Sequence, residues 1–373
     1  MHLAFVSPFD PSDIRSYSGI AYFMARALRD RVDRLSVVAP LPLGGRVSGR
    51  VAKLRHRLRG ERYLRQHTWA GVRPMAAAAA AQIRALQPDA VLAPSTLPLA
   101  ALDVDCPTAC WPDATFEANL DFYAGYSGLA ADLVLEAHDV ERAALHNATV
   151  ALFATDHAAR SATGYYGVDE ASAHVVPYGT NLDPVPTNID AAIDARAPSP
   201  ARLLFVGGDW VRKGGDVALR VAEEMTARGT PTTLTVAGPH PPTPPHPLLR
   251  TRGFLRKSVP EEERALRDLF RESHFLCMPV RAEDFGCVFA EAAAFGLPSL
   301  TTAIGGLTTT VGAAAGVLFP FQERPQAIAE RALDVLSGPE YPALCRSARH
   351  RFETVLNWET AVDRAVGILE ASL

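Results

Sequence analysis

The sequence lacks a strong charge of either sign, and this absence excludes a general attraction to polyanions. The 373 residues contain 37 Lys and Arg against 41 Asp and Glu, which gives a formal net charge of −4. A chain so close to neutral has no overall field that would draw nucleic acid or an anionic bilayer to it. We therefore expect no nucleic-acid partner, and any site for an anionic partner must be local.

The sequence also has few cysteines and no long hydrophobic run. The five cysteines form an odd set without the spacing of metal ligands, which favours free thiols in a reducing compartment. No segment reaches the roughly 18 apolar residues of a membrane span. The first residues, MHLAFVSPF, lack the basic and apolar regions of a secretory signal. We expect a cytoplasmic protein that is soluble or rests on the inner face of a membrane.

Short apolar runs alternate with stretches of helical periodicity along the whole chain. This alternation is typical of strand-helix units on parallel sheets, so the predicted fold class is α/β. In the first half the predicted strands are 2–7, 34–39, 89–93, 107–111, 149–154 and 174–177. In the second half they are 202–206, 233–237, 274–278 and 298–302.

A proline-rich break predicts two domains. Residues 184–200 hold four prolines and few bulky apolar residues, which is typical of a linker. We predict an N-terminal Rossmann-like domain over 1–185, a linker over 186–200 and a C-terminal Rossmann-like domain over 201–356. The amphipathic C-terminal helix, about 357–373, has two placements open, with the second domain or packed back on the first.

The most informative segment is 281–298, which follows the predicted strand 274–278. Gly286 predicts a tight start to a helix, and Glu283 and Glu291 lie on either side of it, eight positions apart. Ligands bind at the carboxyl ends of parallel strands, where a helix start also presents unpaired N–H groups. Both carboxylates could therefore meet a polyhydroxylated ligand. Solvated surface charges are the alternative interpretation.

A glycine-rich loop follows the first strand of the second half. The segment 203–216, LLFVGGDWVRKGGD, runs from an apolar strand into Gly207 and Gly208 and then reaches Arg212 and Lys213. Glycines let backbone N–H groups approach an anion, and the adjacent cations would supply charge where a diphosphate leaving group develops it. The pattern matches neither a Walker loop nor the dinucleotide motif GxGxxG. A plain turn stays the alternative.

Together these segments resemble the retaining glycosyltransferases of family four, which belong to group 1 and share the two-domain GT-B fold. In this sequence the motifs are Gly207 with Lys213-Gly214, Gly253 to Leu255, Pro279 with Glu283, Phe285-Gly286, Glu291-Ala292, Gly296 with Pro298, and Gly305-Gly306. The resemblance covers the C-terminal domain closely and extends more weakly through residues 177–181 and Gly19. It implies two parallel sheets that face each other across a cleft.

The resemblance also implies roles for individual residues. Lys213 and Glu283 are expected to be catalytic, Lys213 at the diphosphate and Glu283 at hydroxyls of the transferred sugar. Glu291 is expected to bind the ribose hydroxyls, and the main chain near Phe254 and Leu255 to face the nucleobase. The full implied donor-binding set is Gly19, Gly207, Gly208, Arg212, Lys213, Gly238, Phe254, Leu255, Glu283, Phe285, Gly286, Cys287, Val288 and Glu291.

The implied activity is metal-independent transfer of a hexosyl unit from a nucleoside-diphosphate sugar, such as a UDP- or GDP-sugar, to an acceptor hydroxyl with retained anomeric configuration. No cofactor is implied, because the nucleotide sugar is the donor substrate. The acceptor would be a small molecule, a glycan or a lipid-linked molecule bound by the N-terminal domain. A sugar-nucleotide epimerase, a phosphorylase of the same fold and a non-catalytic nucleotide-sugar binding protein stay open as alternatives.

Two positions depart from the family pattern. Gly208 stands where many members carry an arginine, and the nearby Arg212 is the expected substitute. In the N-terminal domain, many members place a histidine after the strand near 107–112, where this chain has Asp113. Asp113 is therefore predicted to be catalytic, and a helix N-cap is the alternative.

A basic segment lies outside these motifs. Residues 46–73 contain one acid, Glu61, and the basic residues Arg46, Arg50, Lys53, Arg55, Arg57, Arg59, Arg62, Arg65 and Arg73. We expect a solvated, mobile loop on the acceptor side, and contact with a membrane surface or an anionic acceptor stays open. Asp103-Val104-Asp105 matches the DxD metal pair but precedes a strand, so no metal site is expected.

Overall fold

A computed structural model describes the backbone of residues 1–373 and the side chains of all residues except 46–48. Two compact units divide the chain. The first unit joins Met1–Tyr178 with Trp358–Leu373, and the second unit is Gly179–Asn357. Each unit contains one six-stranded sheet with helices between the strands, which confirms the predicted α/β class.

All neighbouring strands of both sheets pair in parallel. The strands of the first sheet are β1 (His2–Val6), β2 (Arg34–Val38), β3 (Ala90–Ala93), β4 (Thr108–Cys110), β5 (Val150–Phe153) and β6 (Ala173–Val175), in the order β2-β1-β3-β4-β5-β6. The strands of the second sheet are β7 (Ala201–Val206), β8 (Thr232–Ala237), β9 (Leu249–Gly253), β10 (Phe275–Met278), β11 (Ser299–Thr302) and β12 (Gly316–Phe319), in the order β12-β11-β10-β7-β8-β9.

The helices alternate with these strands. In chain order they are α1 (Ile20–Arg31), α2 (Arg46–Leu58), α3 (Trp69–Leu86), α4 (Phe116–Asn119), α5 (Ala131–Asn147), α6 (Asp156–Tyr166), α7 (Ile189–Asp194), α8 (Gly215–Ala227), α9 (Pro260–Glu272), α10 (Cys287–Ala294), α11 (Leu307–Thr310), α12 (Pro325–Ser337), α13 (Glu340–Thr354) and α14 (Trp358–Glu370).

The central strands are buried along their whole length. Every residue of β3, β5 and β10 is buried, and their sequences AVLA, VALF and FLCM contain no polar side chain except the Cys277 thiol. Parallel strands with both faces covered have this continuous apolar character. Two edge strands carry a different pattern and were not predicted from the sequence. β9 reads LRTRG and is mostly exposed, and β12 reads GVLF.

The prediction of an unpacked linker over 186–200 is wrong. Part of this stretch forms α7, whose two isoleucines are buried. Just after the helix, Arg196 is only 7% exposed. Its guanidinium donates hydrogen bonds to the carbonyl oxygens of Phe295 at 2.9 Å and Gly296 at 2.7 Å. The stretch therefore packs into the second unit, where isoleucine and arginine contacts outweigh the breaking effect of the prolines.

The C-terminal helix α14 belongs to the first unit. The Trp358 ring at its start lies 5.7 Å from the Tyr178 ring and 6.1 Å from the Trp111 ring, measured between centroids. Arg31 of α1 donates from Nε to the Asp363 carboxylate at 2.6 Å. The sequence left two placements of this helix open, and in the structure it packs back on the first unit.

The prediction of a loop over the basic segment 46–73 is wrong. Its first part is the helix α2, and its last residues begin α3. Between the two helices, Arg62 pairs with Leu129 in a parallel bridge and donates to the Ala124 carbonyl oxygen at 2.6 Å. The side chain of Arg46 lies outside the described residues.

Candidate active site

The candidate site in the second unit lies where the strand order of its sheet reverses. β7 has β10 on one side and β8 on the other, so the chain winds in opposite directions from this point. In open parallel sheets, ligands bind outside the carboxyl ends of the strands at such a switch point. The loop after β7 and the loop after β10 carry the residues singled out in the sequence.

Glycines allow these loops to pack closely against each other. Gly214 has φ +75°, and a Cβ there would lie 1.9 Å from the Pro279 carbonyl oxygen of the neighbouring loop. A Cβ on Gly207 would lie 2.3 Å from Cδ of Lys213, and one on Gly238 would lie 2.2 Å from the Gly207 carbonyl oxygen. Backbone contacts therefore require Gly214 and Gly238, whereas Gly207 leaves room for the Lys213 side chain. Gly208 differs, since a Cβ there meets nothing within 4 Å.

Two cations from the β7 loop hold a carboxylate from the β10 loop. Lys213 donates from Nζ to Oε2 of Glu283 at 2.9 Å, and Arg212 donates from a terminal guanidinium nitrogen to the same oxygen at 3.2 Å. Arg212 also donates to the Ala282 carbonyl oxygen at 2.7 Å and lies 3.6 Å from the Asp209 carboxylate. Glu283 is 9% exposed. The sequence thus placed three interacting side chains correctly at the ends of two strands.

The charges around Glu283 keep its carboxyl group ionised. Burial by itself raises the pKa of Glu283, but the positive charges of Lys213 and Arg212 and their hydrogen bonds lower it by more. The resulting pKa lies below the ordinary value of 4.5. At neutral pH the cluster therefore contains a buried carboxylate beside two cations.

An ion pair that sequence reasoning missed ties the same two loops together. Arg281 donates from its two terminal nitrogens to the two carboxylate oxygens of Asp216, at 2.8 and 2.7 Å. The Arg281 backbone N–H also donates to the Arg212 carbonyl oxygen at 2.7 Å. The hydrogen bond from Arg281 lowers the pKa of Asp216. Opposite charges in the two loop sequences were the available signal, but many other pairs fit that signal equally well.

The helix α10 begins directly after this cluster. Its N-cap, Gly286, has φ +66°, and a Cβ there would lie 2.7 Å from the Phe289 ring. Phe285 is buried, and its carbonyl oxygen accepts a hydrogen bond from Oγ1 of Thr310 at 2.7 Å. Cys287 and Val288 form the first turn, with Val288 buried. The helix start is therefore fixed by both its own packing and a contact from α11.

Glu291 lies in the second turn of α10 and is 4% exposed. Its Oε1 forms an ion pair with Nζ of Lys257, from the loop after β9. Lys257 also donates to the Asn181 carbonyl oxygen at 3.2 Å. Sequence reasoning missed Lys257, although a signal existed. The chain has only three lysines, Lys53, Lys213 and Lys257, and two of them pair with the two glutamates of the motif.

The β9 loop also carries an exposed aromatic ring. Phe254 is 68% exposed, directly after Gly253 with φ +70°. Leu255 beside it is half-buried. The strands of this sheet are parallel, so Phe254 lies at the same edge as the cluster around Glu283. An exposed ring at this edge is available for stacking on a flat ligand group.

The N-terminal candidates Gly19 and Asp113 lie in the first unit. Gly19 has φ +84° and follows Tyr17 and Ser18, which also have positive φ values of 50° and 56°. Tyr17 donates from its hydroxyl to Oδ1 of Asp113 at 2.7 Å. Burial and the nearby Asp113 carboxylate raise the pKa of Tyr17 well above its usual range. Sequence reasoning missed Tyr17, because only the fold brings it to Asp113.

The N-cap interpretation of Asp113 is wrong. The side chain that caps α4 belongs to Thr115, whose Oγ1 accepts from the Ala118 backbone N–H at 3.1 Å. Asp113 lies two residues earlier, just beyond the carboxyl end of β4. It therefore lies at the edge of the first sheet where ligands of parallel sheets bind.

Comparison with known families gives a match within the second unit. The family described as "Glycosyl transferases group 1" matches residues 200–338. A D-inositol 3-phosphate glycosyltransferase of Nocardiopsis dassonvillei is 27% identical over 58% of this chain and 54% of its own length. D-inositol 3-phosphate glycosyltransferase 2 of Catenulispora acidiphila is 34% identical over 42% of this chain and 40% of its own length. The chain thus spans about half the length of the curated relatives it matches.

Solved structures resemble the fold over the whole chain. Sucrose-phosphate synthase from Thermosynechococcus elongatus has a TM-score of 0.71 at 17% identity, covering 100% of this chain and 99% of the other. The Anabaena protein HepE, solved with UDP and glucose, has a TM-score of 0.64 at 14% identity and covers 100% of both chains. These likenesses support the predicted fold class.

Proposed function

We propose that this chain, whose second unit carries a group 1 glycosyltransferase domain, transfers a glycosyl unit from a nucleoside-diphosphate sugar to an acceptor hydroxyl. The proposal depends on one observation, the buried Glu283 carboxylate held by Lys213 and Arg212 at the switch point of the second sheet. Such a cluster suits a ligand that carries both hydroxyl groups and an anion. A nucleoside-diphosphate sugar carries both.

We propose that transfer retains the anomeric configuration and uses no metal. The bond between C1 of the sugar and the phosphate oxygen breaks through an oxocarbenium-like state, and the acceptor oxygen bonds to C1 on the same face. The acceptor proton goes to the leaving diphosphate. Lys213 and Arg212 stabilise the charge that grows on this diphosphate, which is the work that a divalent cation would otherwise do. Glu283 accepts hydrogen bonds from sugar hydroxyls and orients the ring.

We propose that Glu291 and Phe254 hold the nucleoside. Oε1 of Glu291 is engaged by Lys257, and the ribose hydroxyls would donate to its other carboxylate oxygen. Lys257 fixes the orientation of the Glu291 carboxylate for this role through its ion pair. The nucleobase would stack near the exposed Phe254 ring, while the main chain at Leu255 faces its edge. Main-chain N–H groups at the start of α10 would face sugar and phosphate oxygens.

We propose that the acceptor binds at the carboxyl edge of the first sheet, near Gly19 and Asp113. The Tyr17 hydroxyl fixes one oxygen of the Asp113 carboxylate, which leaves the group oriented to accept a hydrogen bond from an acceptor hydroxyl. The curated relatives are named for D-inositol 3-phosphate, so a phosphorylated polyol is the first acceptor to test. We place the reaction in the cytoplasm, which suits the five free thiols.

A thermal-shift screen tests the donor. A ligand that binds the folded state raises the apparent stability by mass action, by about 2.7 kcal/mol at a hundred times its dissociation constant. UDP-, GDP-, ADP- and dTDP-sugars are compared at equal concentration, with the free diphosphates and nucleoside monophosphates as controls. We expect a sugar nucleotide and its diphosphate to raise the melting temperature more than the monophosphate does. No shift with any of them would contradict a donor site.

Product analysis then separates glycosyl transfer from the alternatives. With the selected donor and a phosphorylated polyol, we expect release of the nucleoside diphosphate together with a glycosylated acceptor. Donor conversion without an acceptor would indicate an epimerase, and phosphate-dependent cleavage of a glycoside would indicate a phosphorylase. Binding without diphosphate release, over a broad panel of acceptors, would indicate a binding protein.

A further inference from the structure

The helix α2 exposes a stripe of large apolar side chains. Val51, Leu54 and Leu58 are 67%, 60% and 80% exposed. Their spacing of three, four and seven positions places them on one face of the helix, because neighbours at these spacings lie one above another. Single exposed apolar residues are common on protein surfaces, but a contiguous exposed stripe marks an interaction surface.

The opposite face of α2 fixes the direction of this stripe. His56 is 5% exposed, its Nδ1 lies 2.9 Å from Oε2 of Glu61, and its ring stacks on Tyr63 with centroids 5.3 Å apart. Gly49 is buried, and a Cβ there would lie 2.6 Å from Cδ of Arg65. The helix is therefore attached through Gly49 and His56, and the apolar stripe faces outward as a consequence.

Basic side chains lie on both sides of the stripe. At 100° per residue, Arg50, Lys53 and Arg57 follow one edge of it and Arg55 follows the other. All four are exposed. The sequence from residue 46 to residue 60 contains no Asp or Glu. Among the described side chains, Arg55 forms a long ion pair with Asp132, at 3.8 Å. We call Val51, Leu54, Leu58 and the four flanking cations the α2 face.

We propose that the α2 face docks on an anionic lipid bilayer, with the apolar stripe in the boundary between headgroups and acyl chains. A basic helix with an apolar stripe lies in the plane of such an interface, and its cations pair with lipid phosphates. The thirteen residues of α2 cover about 20 Å of that surface. Nucleic acid or an acidic protein loop would match the charges but would leave the central stripe in water. The charge and the stripe together therefore favour lipid.

This surface is a separate property from glycosyl transfer, since its residues belong to the first unit and none contributes to the donor cluster. Within the described residues, every helix is too short or too polar to span a membrane. Docking through the α2 face would hold the protein at the membrane surface in a reversible way. Contact through two kinds of group, apolar and basic, is what stable surface binding requires.

Vesicle co-sedimentation of the full chain tests the proposal. One set of vesicles is phosphatidylcholine alone, and the other contains about one-third phosphatidylglycerol. A stripe variant combines Val51→Ser, Leu54→Ser and Leu58→Ser, and a charge variant combines Arg50→Gln, Lys53→Gln and Arg57→Gln. The matched controls are Leu135→Ser, on a leucine 68% exposed on α5, and Arg160→Gln, on an exposed arginine of α6. Thermal unfolding of every variant checks that the fold is intact.

We expect binding to the anionic vesicles and little binding to phosphatidylcholine alone. The charge variant should bind anionic vesicles about a hundredfold more weakly, because each of its three lost cations contributes about fivefold to the partition coefficient. The stripe variant should bind at least about tenfold more weakly. Neither control should change binding by more than about twofold.

Three outcomes would overturn the proposal. One is a wild-type chain that does not bind anionic vesicles at low ionic strength. Another is a stripe variant that binds as well as the wild type, since the surface would then be a polyanion site without lipid insertion. The third is equal weakening by Leu135→Ser, because binding would then not depend on α2.

Discussion

The substitution Lys213→Met removes the charge of the central lysine and keeps most of its hydrocarbon chain. The hydrocarbon chain matters because Cδ of Lys213 fills the space beside Gly207. A Cβ on Gly207 would lie 2.3 Å from this Cδ. Loss of one preorganised donor to a developing anion lowers kcat by about a hundredfold to a thousandfold. Arg212 remains 3.2 Å from Glu283, so we expect the lower end, about a hundredfold.

The same substitution should also change stability. Glu283 loses the hydrogen bond from Nζ of Lys213 at 2.9 Å and keeps the one from Arg212. A hydrogen bond to a charged group contributes about 1.5–3 kcal/mol, so we expect a loss of about 2 kcal/mol at neutral pH. The pKa of Glu283 is lowered in the folded state, so its stabilising effect is present above the ordinary value of 4.5 and is lost as the pH falls below it. In the variant the folded-state pKa of Glu283 is lowered less, so this acid-induced loss should be smaller than in the wild type.

Single-turnover release of the nucleoside diphosphate is the assay, with the donor selected by thermal shift and with saturating acceptor. Arg331→Met is the matched control, because Arg331 is an exposed cation on α12 paired with Glu340. Calorimetry with the free diphosphate measures binding separately from chemistry. Turnover within about threefold of the wild type, in a variant that still folds, would refute the role assigned to Lys213.

Three further predictions follow from buried groups. Glu291→Gln should weaken diphosphate binding at least about tenfold in calorimetry, since the amide cannot hold Lys257 as an ion pair; unchanged affinity would contradict the ribose role. Burial raises the pKa of Glu141 from 4.5 to about 7, so the wild type loses stability as the pH rises through this range. In thermal unfolding, Glu141→Gln should therefore be more stable than the wild type by about 3 kcal/mol near pH 8 and as stable as the wild type near pH 4. The same gain in stability at both pH values would contradict the titration of Glu141. Arg196→Met should cost about 3 kcal/mol in urea unfolding, because two buried carbonyl oxygens lose their donor; a loss under about 1 kcal/mol would show that water replaces the guanidinium.

The sequence predicted the inner strands and the candidate residues at their ends. Buried parallel strands are continuous apolar runs, and their short length and flanking turn residues separate them from helices. The resemblance to group 1 glycosyltransferases is confirmed by the match over residues 200–338. Placement of Lys213 and Glu283 after β7 and β10 was also predicted, because both follow apolar strands in the sequence. The retaining mechanism and the individual site roles remain predictions.

The rest depended on contacts that sequence spacing does not determine. Tyr17 and Asp113 are 96 positions apart, and their hydrogen bond follows from the order of strands in the first sheet. The helix in the basic segment was missed because the described residues of α2 include only two buried ones, Gly49 and His56, which leave almost no apolar pattern in the sequence. β9 was missed because an edge strand needs no apolar run. In each case tertiary contacts outweighed the local pattern.

The second unit is one uninterrupted stretch of chain placed between two parts of the first. Its two ends are tied to each other, since the Thr180 backbone N–H donates to the Leu356 carbonyl oxygen at 2.9 Å. A segment whose termini lie side by side can be exchanged as a cassette through two adjacent junctions. Chimeras that test whether the second unit determines the choice of donor should therefore be cut at 179 and 357 and should leave the last helix with its native N-terminal half.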